Sequence, residues 1–383
     1  MNERERLLTV LEGGRADQTP WYGDLSWWHA AHMEMGDLPE AYRDEASGQE
    51  SYQSHFQLTP TTGEGYLKFH QDVGIGVMFY APMVWRETFS EEIGFFSRRE
   101  GNRTVSRIAT PVGGVESISD YLPDSHTAAT KTHYVKNPDD LRVLRYVWEH
   151  RQISSAYEVF ERTDRLWGEA GVAISLGPIC TSALQTLITR WAGIETTVSL
   201  IVEAPEALEE TLEVLQAADD AIFEVIADSP ARVVEFPDNI AGELTGTHLL
   251  RKYVLPYWIK RVRQLQAAGK LVGVHNDGGC KAALPVIIEA GFDFVEAVTP
   301  APAGDLTLEE VRDITAGRIV VIGGLPGVFF SPQYTKKHFE GFVRQALSAF
   351  PRGRGFVLGV ADQVPPDGEF ERMCSVRDIL ENR

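Results

Sequence analysis

Short apolar runs recur along this chain, and between many of them lie longer stretches in which apolar residues return every three or four positions. The runs at residues 20–25, 73–80, 172–176, 233–236, 271–275, 292–297, 319–323 and 355–359 predict eight strands. Strands apolar on both faces belong in a parallel sheet covered by helices. Residues 205–227 place Leu208, Leu212, Leu215, Ile222 and Ile226 at helical spacing, and residues 248–268 open after Gly246-Thr247 and stop before Gly269. Strand and helix in alternation predict parallel pairing, and eight such units predict a closed (β/α)8 barrel of the TIM type.

Two regions break the alternation. Residues 84–118 read as an antiparallel hairpin with Glu100-Gly101-Asn102 at its turn, a flap beside the barrel mouth. Residues 120–170 read as a polar loop followed by helices over 138–147 and 151–169. No linker, low-complexity tract or repeat interrupts the pattern, so residues 1–383 are expected to form one barrel domain with these two insertions.

Composition narrows the classes of function. Asp and Glu outnumber Lys and Arg by 55 to 36, a formal charge of -19, which disfavours nucleic acid or an anionic membrane surface as partner. Cys180, Cys280 and Cys374 are scattered without CxxC spacing, so neither a disulfide framework nor a thiolate zinc site is encoded. The first residues show no basic stretch leading into an apolar core, and no run approaches the ~18 apolar residues of a membrane span. A cytoplasmic location is expected.

The chemistry concentrates at strand ends. His275 closes the run Leu271-Val272-Gly273-Val274, with Asn276-Asp277-Gly278-Gly279 beyond it and a helix expected from near Cys280. Glu235 and Asp238 end the preceding strand and Glu296 ends the following one, so all three are expected at the mouth. There they serve either as acid and base groups with burial-shifted pKa values or as partners of rim arginines and lysines. Trp21, Trp27, Trp28, Tyr66, Phe69, Tyr80 and Trp85 gather aromatics in the first quarter of the chain, which suits an aromatic or methoxylated substrate and equally suits a core. His29 is a candidate to flank the site, whereas His32 is placed on a helix surface. Cys180 is read as a buried filler and Gly323-Gly324-Leu325-Pro326-Gly327 as a tight turn.

The opening Arg4-Glu5-Arg6-Leu7-Leu8-Thr9-Val10-Leu11-Glu12-Gly13, with Asp17-Gln18-Thr19-Pro20-Trp21 after it, resembles the first helix and strand of the uroporphyrinogen decarboxylase superfamily. The ending, Gly355-Phe356-Val357-Leu358-Gly359 through Asp362-Gln363-Val364-Pro365-Pro366-Asp367, resembles it too. In the porphyrin decarboxylase, arginines after the first strand grip substrate carboxylates, whereas Trp21-Tyr22-Gly23-Asp24-Leu25-Ser26-Trp27-Trp28-His29 contains none. A Gly-His-Gly turn of that enzyme is replaced by Gly359-Val360-Ala361-Asp362. The resemblance is therefore nearer the corrinoid-dependent methyltransferase branch, whose zinc ligands, a His-x-Cys motif and a later Cys, fall on His275, Asp277 and Asp362.

That correspondence implies a zinc or other divalent site that favours oxygen over sulfur. It also implies transfer of a methyl group from a methoxylated or methylated small molecule to a thiol or to a corrinoid on a partner protein. Glu296, Asp24 and Glu235 are the candidate acid and base groups, and Trp21, Trp27, Trp28, His29, Tyr80 and Asp238 the candidate substrate contacts. A metal-assisted lyase or decarboxylase of a small carboxylic acid, with Asp24 or Glu296 as proton donor, and a ligand-binding barrel without turnover are the alternatives. Under the first reading, His275→Ala is expected to abolish methyl transfer and to leave thermal stability nearly intact.

Overall fold

The computed structural model describes residues 1–44, 63–80, 83–178 and 180–382. Eight parallel strands form the central sheet: β1 (Trp21–Asp24), β2 (Val77–Tyr80), β3 (Gly171–Leu176), β4 (Val233–Phe236), β5 (Leu271–His275), β6 (Phe294–Val298), β7 (Val320–Pro326) and β8 (Phe356–Gln363). Neighbours pair in chain order from β2 to β8, and β8 returns to pair with β1. A parallel bridge between Tyr22 and Gly76, with the Gly76 N–H donating to the Trp21 carbonyl at 2.9 Å, closes the ring. Each expected strand is present, and helices flank them on the outside as the alternation requires.

Strand alternation sorts the side chains into two layers. Tyr22, Met78, Ile174, Val233, Phe294, Ile322 and Val357 fill the barrel interior, together with Leu7, Val10 and Leu11 of the helix Glu3–Leu11. Val234, Val272, Val274, Val295, Val321 and Leu358 face outward and pack under the surrounding helices. The residues in step with the interior set but nearer the strand ends, Glu235, Gly273, His275 and Glu296, therefore point into the barrel toward its mouth.

The insertions are more strand-rich than the pattern suggests. Gly94–Glu100 and Arg103–Thr110 form the expected hairpin about Gly101-Asn102, but Gly113–Leu122 and Thr127–Thr132 continue it into a four-stranded antiparallel sheet. Trp85–Phe89 lies outside that sheet and pairs with Arg151–Ser155, which takes the first turn of the helix expected over 151–169; the helix itself is Tyr157–Trp167. Thr127-Ala128-Ala129-Thr130-Lys131-Thr132 carries no apolar alternation, and Arg151-Gln152-Ile153-Ser154-Ser155 is too short to separate the two periods. The expected helix 205–227 divides into Pro205–Ala218 and Asp220–Asp228, and the one at 248–268 into Gly242–Leu249, a π-helical turn Leu250–Val254, and Leu255–Ala267. After His275 the chain turns before its helix begins at Leu284 rather than near Cys280. Gly323 through Pro326 extend β7 instead of forming a tight turn. Among the described residues no helix is long and apolar enough to cross a membrane.

Candidate active site

Three features of the strands assemble the site. The β5–β6 register sets His275 opposite Glu296, and the β4–β5 register sets Glu235 opposite Gly273, one inward step below the histidine. Gly273 is required here, because a Cβ at this position would lie 2.0 Å from the Phe294 ring. Phe294 thus floors the site where a side chain on β5 would otherwise stand. The β6–β7 register shifts between Val295 and Val298, and Ala297 within that irregularity adopts φ 62°. On the far side β1 and β8 shift between Tyr22 and Asp24, and Asp362 adopts φ 50°. Left-handed backbone at non-glycine residues is costly and collects where a side chain must be aimed.

His275 is 7% exposed, and its Nδ1–H donates to Glu296 Oε2 at 2.6 Å. That bond leaves Nε2 directed across the mouth, 3.8 Å from Asp362 Oδ1. The separation is too long for a direct hydrogen bond and short enough for one shared atom. Burial alone would pull the imidazole pKa down, but Glu296, Asp362 and Glu235 outweigh it and push His275 up to about 10. Asp362 keeps 49% of its side chain accessible, yet the surrounding protein withdraws enough water to raise its pKa to about 7; His275 opposes the rise, and Asp277, Asp24 and Glu296 reinforce it.

Asp24 accepts hydrogen bonds from the Ser26 backbone N–H at 2.7 Å and from Gln363 Nε2 at 2.7 Å, and burial raises its pKa against both. Neither Ser26 nor Gln363 was singled out from the sequence; for Gln363 the signal was its place beside Asp362 in the final strand.

Glu235, His275 and Glu296, all buried, each offer a ligand atom within 4.8 Å of the other two. One imidazole with two carboxylates is a hard, oxygen-tolerant donor set, suited to a divalent cation and without the sulfur of a thiol-activating zinc site. This grouping differs from the set inferred through resemblance. Asp277 is exposed, because the chain turns outward after buried Asn276, whose Nδ2 donates to the Gly278 carbonyl at 3.0 Å; only its charge reaches Asp362. Of the two readings left open for Glu296, pairing with a rim arginine or lysine is not what the fold provides: its partner is His275.

The expected substrate contacts are mostly engaged elsewhere. Trp21 is buried and faces the outer layer, by the same alternation that turns Tyr22 inward. Trp28 packs on Phe69 at 5.1 Å and donates to the Gly368 carbonyl, and fully buried His29 bonds the Tyr42 carbonyl at 2.8 Å through Nε2, with burial lowering its pKa. Asp238, 0% exposed, accepts from the Ser182 N–H and the Trp258 indole at 2.6 Å each, so both carboxylate oxygens brace the fold. Half-buried Trp27 reaches the Ser125 carbonyl in the flap at 3.1 Å. The side chain of Tyr80 lies outside the described residues. Cys180 is the buried filler expected, with its Sγ 2.7 Å from Thr189 Oγ1 and its pKa pushed up to about 12 by burial.

Residues 121–382 match the protein family described as uroporphyrinogen decarboxylase (URO-D). Among solved structures, the chain superposes on a methyltransferase from Methanosarcina mazei with a TM-score of 0.60 and 13% identity, covering 100% of this chain and 99% of that one. At that identity the likeness speaks to fold. No curated protein matches the chain.

Proposed function

Since the chain belongs to the uroporphyrinogen decarboxylase family, we propose that it is a methyltransferase, taking a methyl group from a methoxylated or methylated small molecule. The observation that carries this reading is the line Glu296–His275–Asp362, an imidazole held from behind at 2.6 Å and facing a half-exposed carboxyl at 3.8 Å. Methyl transfer from oxygen breaks the C–O bond and leaves its electron pair on the oxygen. A proton delivered there as the bond breaks stabilises the leaving group. Asp362, on the accessible side, is positioned to deliver it, while Glu296 fixes the tautomer and orientation of His275. The acceptor, a thiol or a corrinoid carried by a partner protein, approaches the methyl carbon from the side opposite the leaving oxygen.

Glu235, His275 and Glu296 would hold a divalent cation, zinc first, with Asp362 available from across the mouth. Bound there, such an ion would supply Lewis-acid polarisation of the leaving oxygen.

Charge favours this reading over a lyase acting on a carboxylic acid. Glu296, Asp362 and Glu235 act on His275, and the charges of Asp277 and Asp24 reach Asp362, so an anionic substrate would enter against a negative field. Two measurements test the proposal. Anomalous scattering at the zinc edge from protein purified without chelators is expected to locate an ion among Glu235, His275 and Glu296. Methyl transfer from methoxylated donors to cob(I)alamin or a thiol is expected in the wild type and absent from Asp362→Asn. Full activity in that variant, or a hydrogen-bonded cluster without metal and no transfer to either acceptor, would sink it.

A further inference from the structure

A cavity of about 130 Å³ lies between the flap and the barrel, bounded by Trp85, Phe95, Trp148, Arg151, Arg190 and Trp191. Its walls come from separate elements. Trp85 stands on the strand paired with Arg151–Ser155, Phe95 on the flap hairpin, Trp148 on the helix Leu141–Glu149, and Arg190-Trp191 end a π-helical turn, Thr186–Trp191. Single π-helical turns are rare and collect at functional positions. The Trp85 indole donates to the carbonyl of Leu176, the last residue of β3, at 3.4 Å, which ties this wall to the barrel rim.

The rings are arranged about a space rather than filling it. Trp148 and Trp191 meet edge to face at 5.1 Å, Phe89 and Phe95 lie 4.9 Å apart, and Phe95 at the outer lip is 52% exposed. A volume near 130 Å³ is close to that of apolar cavities of ~150 Å³ known to accept benzene, so the space matches a single aromatic ring.

The polar atoms around it are donors in excess. Arg190 makes neither ion pair nor hydrogen bond among the described residues. Trp191, 3% exposed, has a buried indole N–H without a hydrogen-bond partner in the protein. Arg151, with 5% of its side chain exposed, directs its other nitrogens to Asp219 and Glu87 and leaves Nε buried without a partner. Buried donors left without acceptors cost free energy that an acceptor would recover. Glu87 is the one carboxylate of the lining, and it already faces Arg151 at 3.7 Å.

From this cavity we infer a binding site for a small aromatic carboxylate of the benzoate class, its ring among Trp148, Trp191 and Phe95 and its carboxylate on Arg190 and the Trp191 N–H. Planar guanidinium and carboxylate groups suit each other, and the aromatic walls suit a ring. The inference does not depend on methyl transfer or on a metal.

Benzoate titrated into the full chain, read by tryptophan emission and by calorimetry, is expected to bind saturably. Arg190→Gln is expected to weaken it about tenfold or more, and Trp191→Phe by a smaller factor of about three to ten. Benzyl alcohol, with the ring and no charge, is expected to bind more weakly than benzoate and equally to wild type and Arg190→Gln. Unsaturable benzoate binding in the wild type overturns the assignment. So does unchanged benzoate affinity in both variants when their circular dichroism and melting temperatures match the wild type. If a variant fails to fold, competition on the wild type decides: acetate displacing benzoate as effectively as phenylacetate does would show that no ring is being read, and would also overturn it.

Discussion

At the residue scale the centre of the molecule is an imidazole between two acids, and its partners change what its removal means. Sequence alone suggested that His275→Ala would spare stability. With His275 bonded to buried Glu296 at 2.6 Å, the variant leaves a carboxylate without its counter-charge. A loss of about 3–5 kcal/mol is expected in denaturant titrations, alongside lost activity. His275→Gln, which retains a donor, is expected to recover part of the stability and none of the turnover.

Titration of the metal-free protein separates the two groups. His275 is raised to about 10 in the fold, so its contribution is complete below its unfolded value of ~6.5 and fades as pH climbs through 10. Asp362 is raised to about 7, so the fold prefers its protonated form; its contribution is complete below ~4 and lost as pH rises through 7. Asp362→Asn is therefore expected to melt like the wild type near pH 4 and above it beyond pH 7. A melting-temperature series across this range checks the sign. His275, Glu235 and Glu296 were legible as strand-end residues. That Glu296 would be the imidazole's partner, and Asp277 would not face it, depended on interstrand register and on an outward turn that no local pattern encodes.

At the element scale the strands were legible because each is buried on both faces and so reads as an unbroken apolar run. Thr127–Thr132, at the edge of the flap sheet, pairs with one neighbour and stays largely exposed, and no apolar signature marks it. The irregularities that aim Glu296 and Asp362 were equally silent, since Ala297 and Asp362 adopt left-handed backbone without the glycine that usually announces it. One glycine does have a clear reason. Gly273→Ala would drive a methyl group into Phe294 beneath His275. A destabilisation of about 1–3 kcal/mol is expected, measured by chemical unfolding, with a fall in turnover because the floor of the site shifts.

At the scale of the whole molecule a formal charge of -19 and an acid-lined mouth act together on anything that enters. Neutral or cationic methyl donors are expected to outcompete carboxylated analogues of the same size at low ionic strength. Added salt is expected to narrow the gap by screening the field, which a KM series against ionic strength would read.

The cylinder is also unevenly fastened. Where other neighbouring strands share at least three aligned positions, the first and second meet at the lone Tyr22–Gly76 bridge. This seam is where the wall should unzip first. Deuterium should enter the Gly76 amide well before it reaches β5 or β6, and each brief parting would wet the carboxylate of Asp24 from behind while leaving His275 dry.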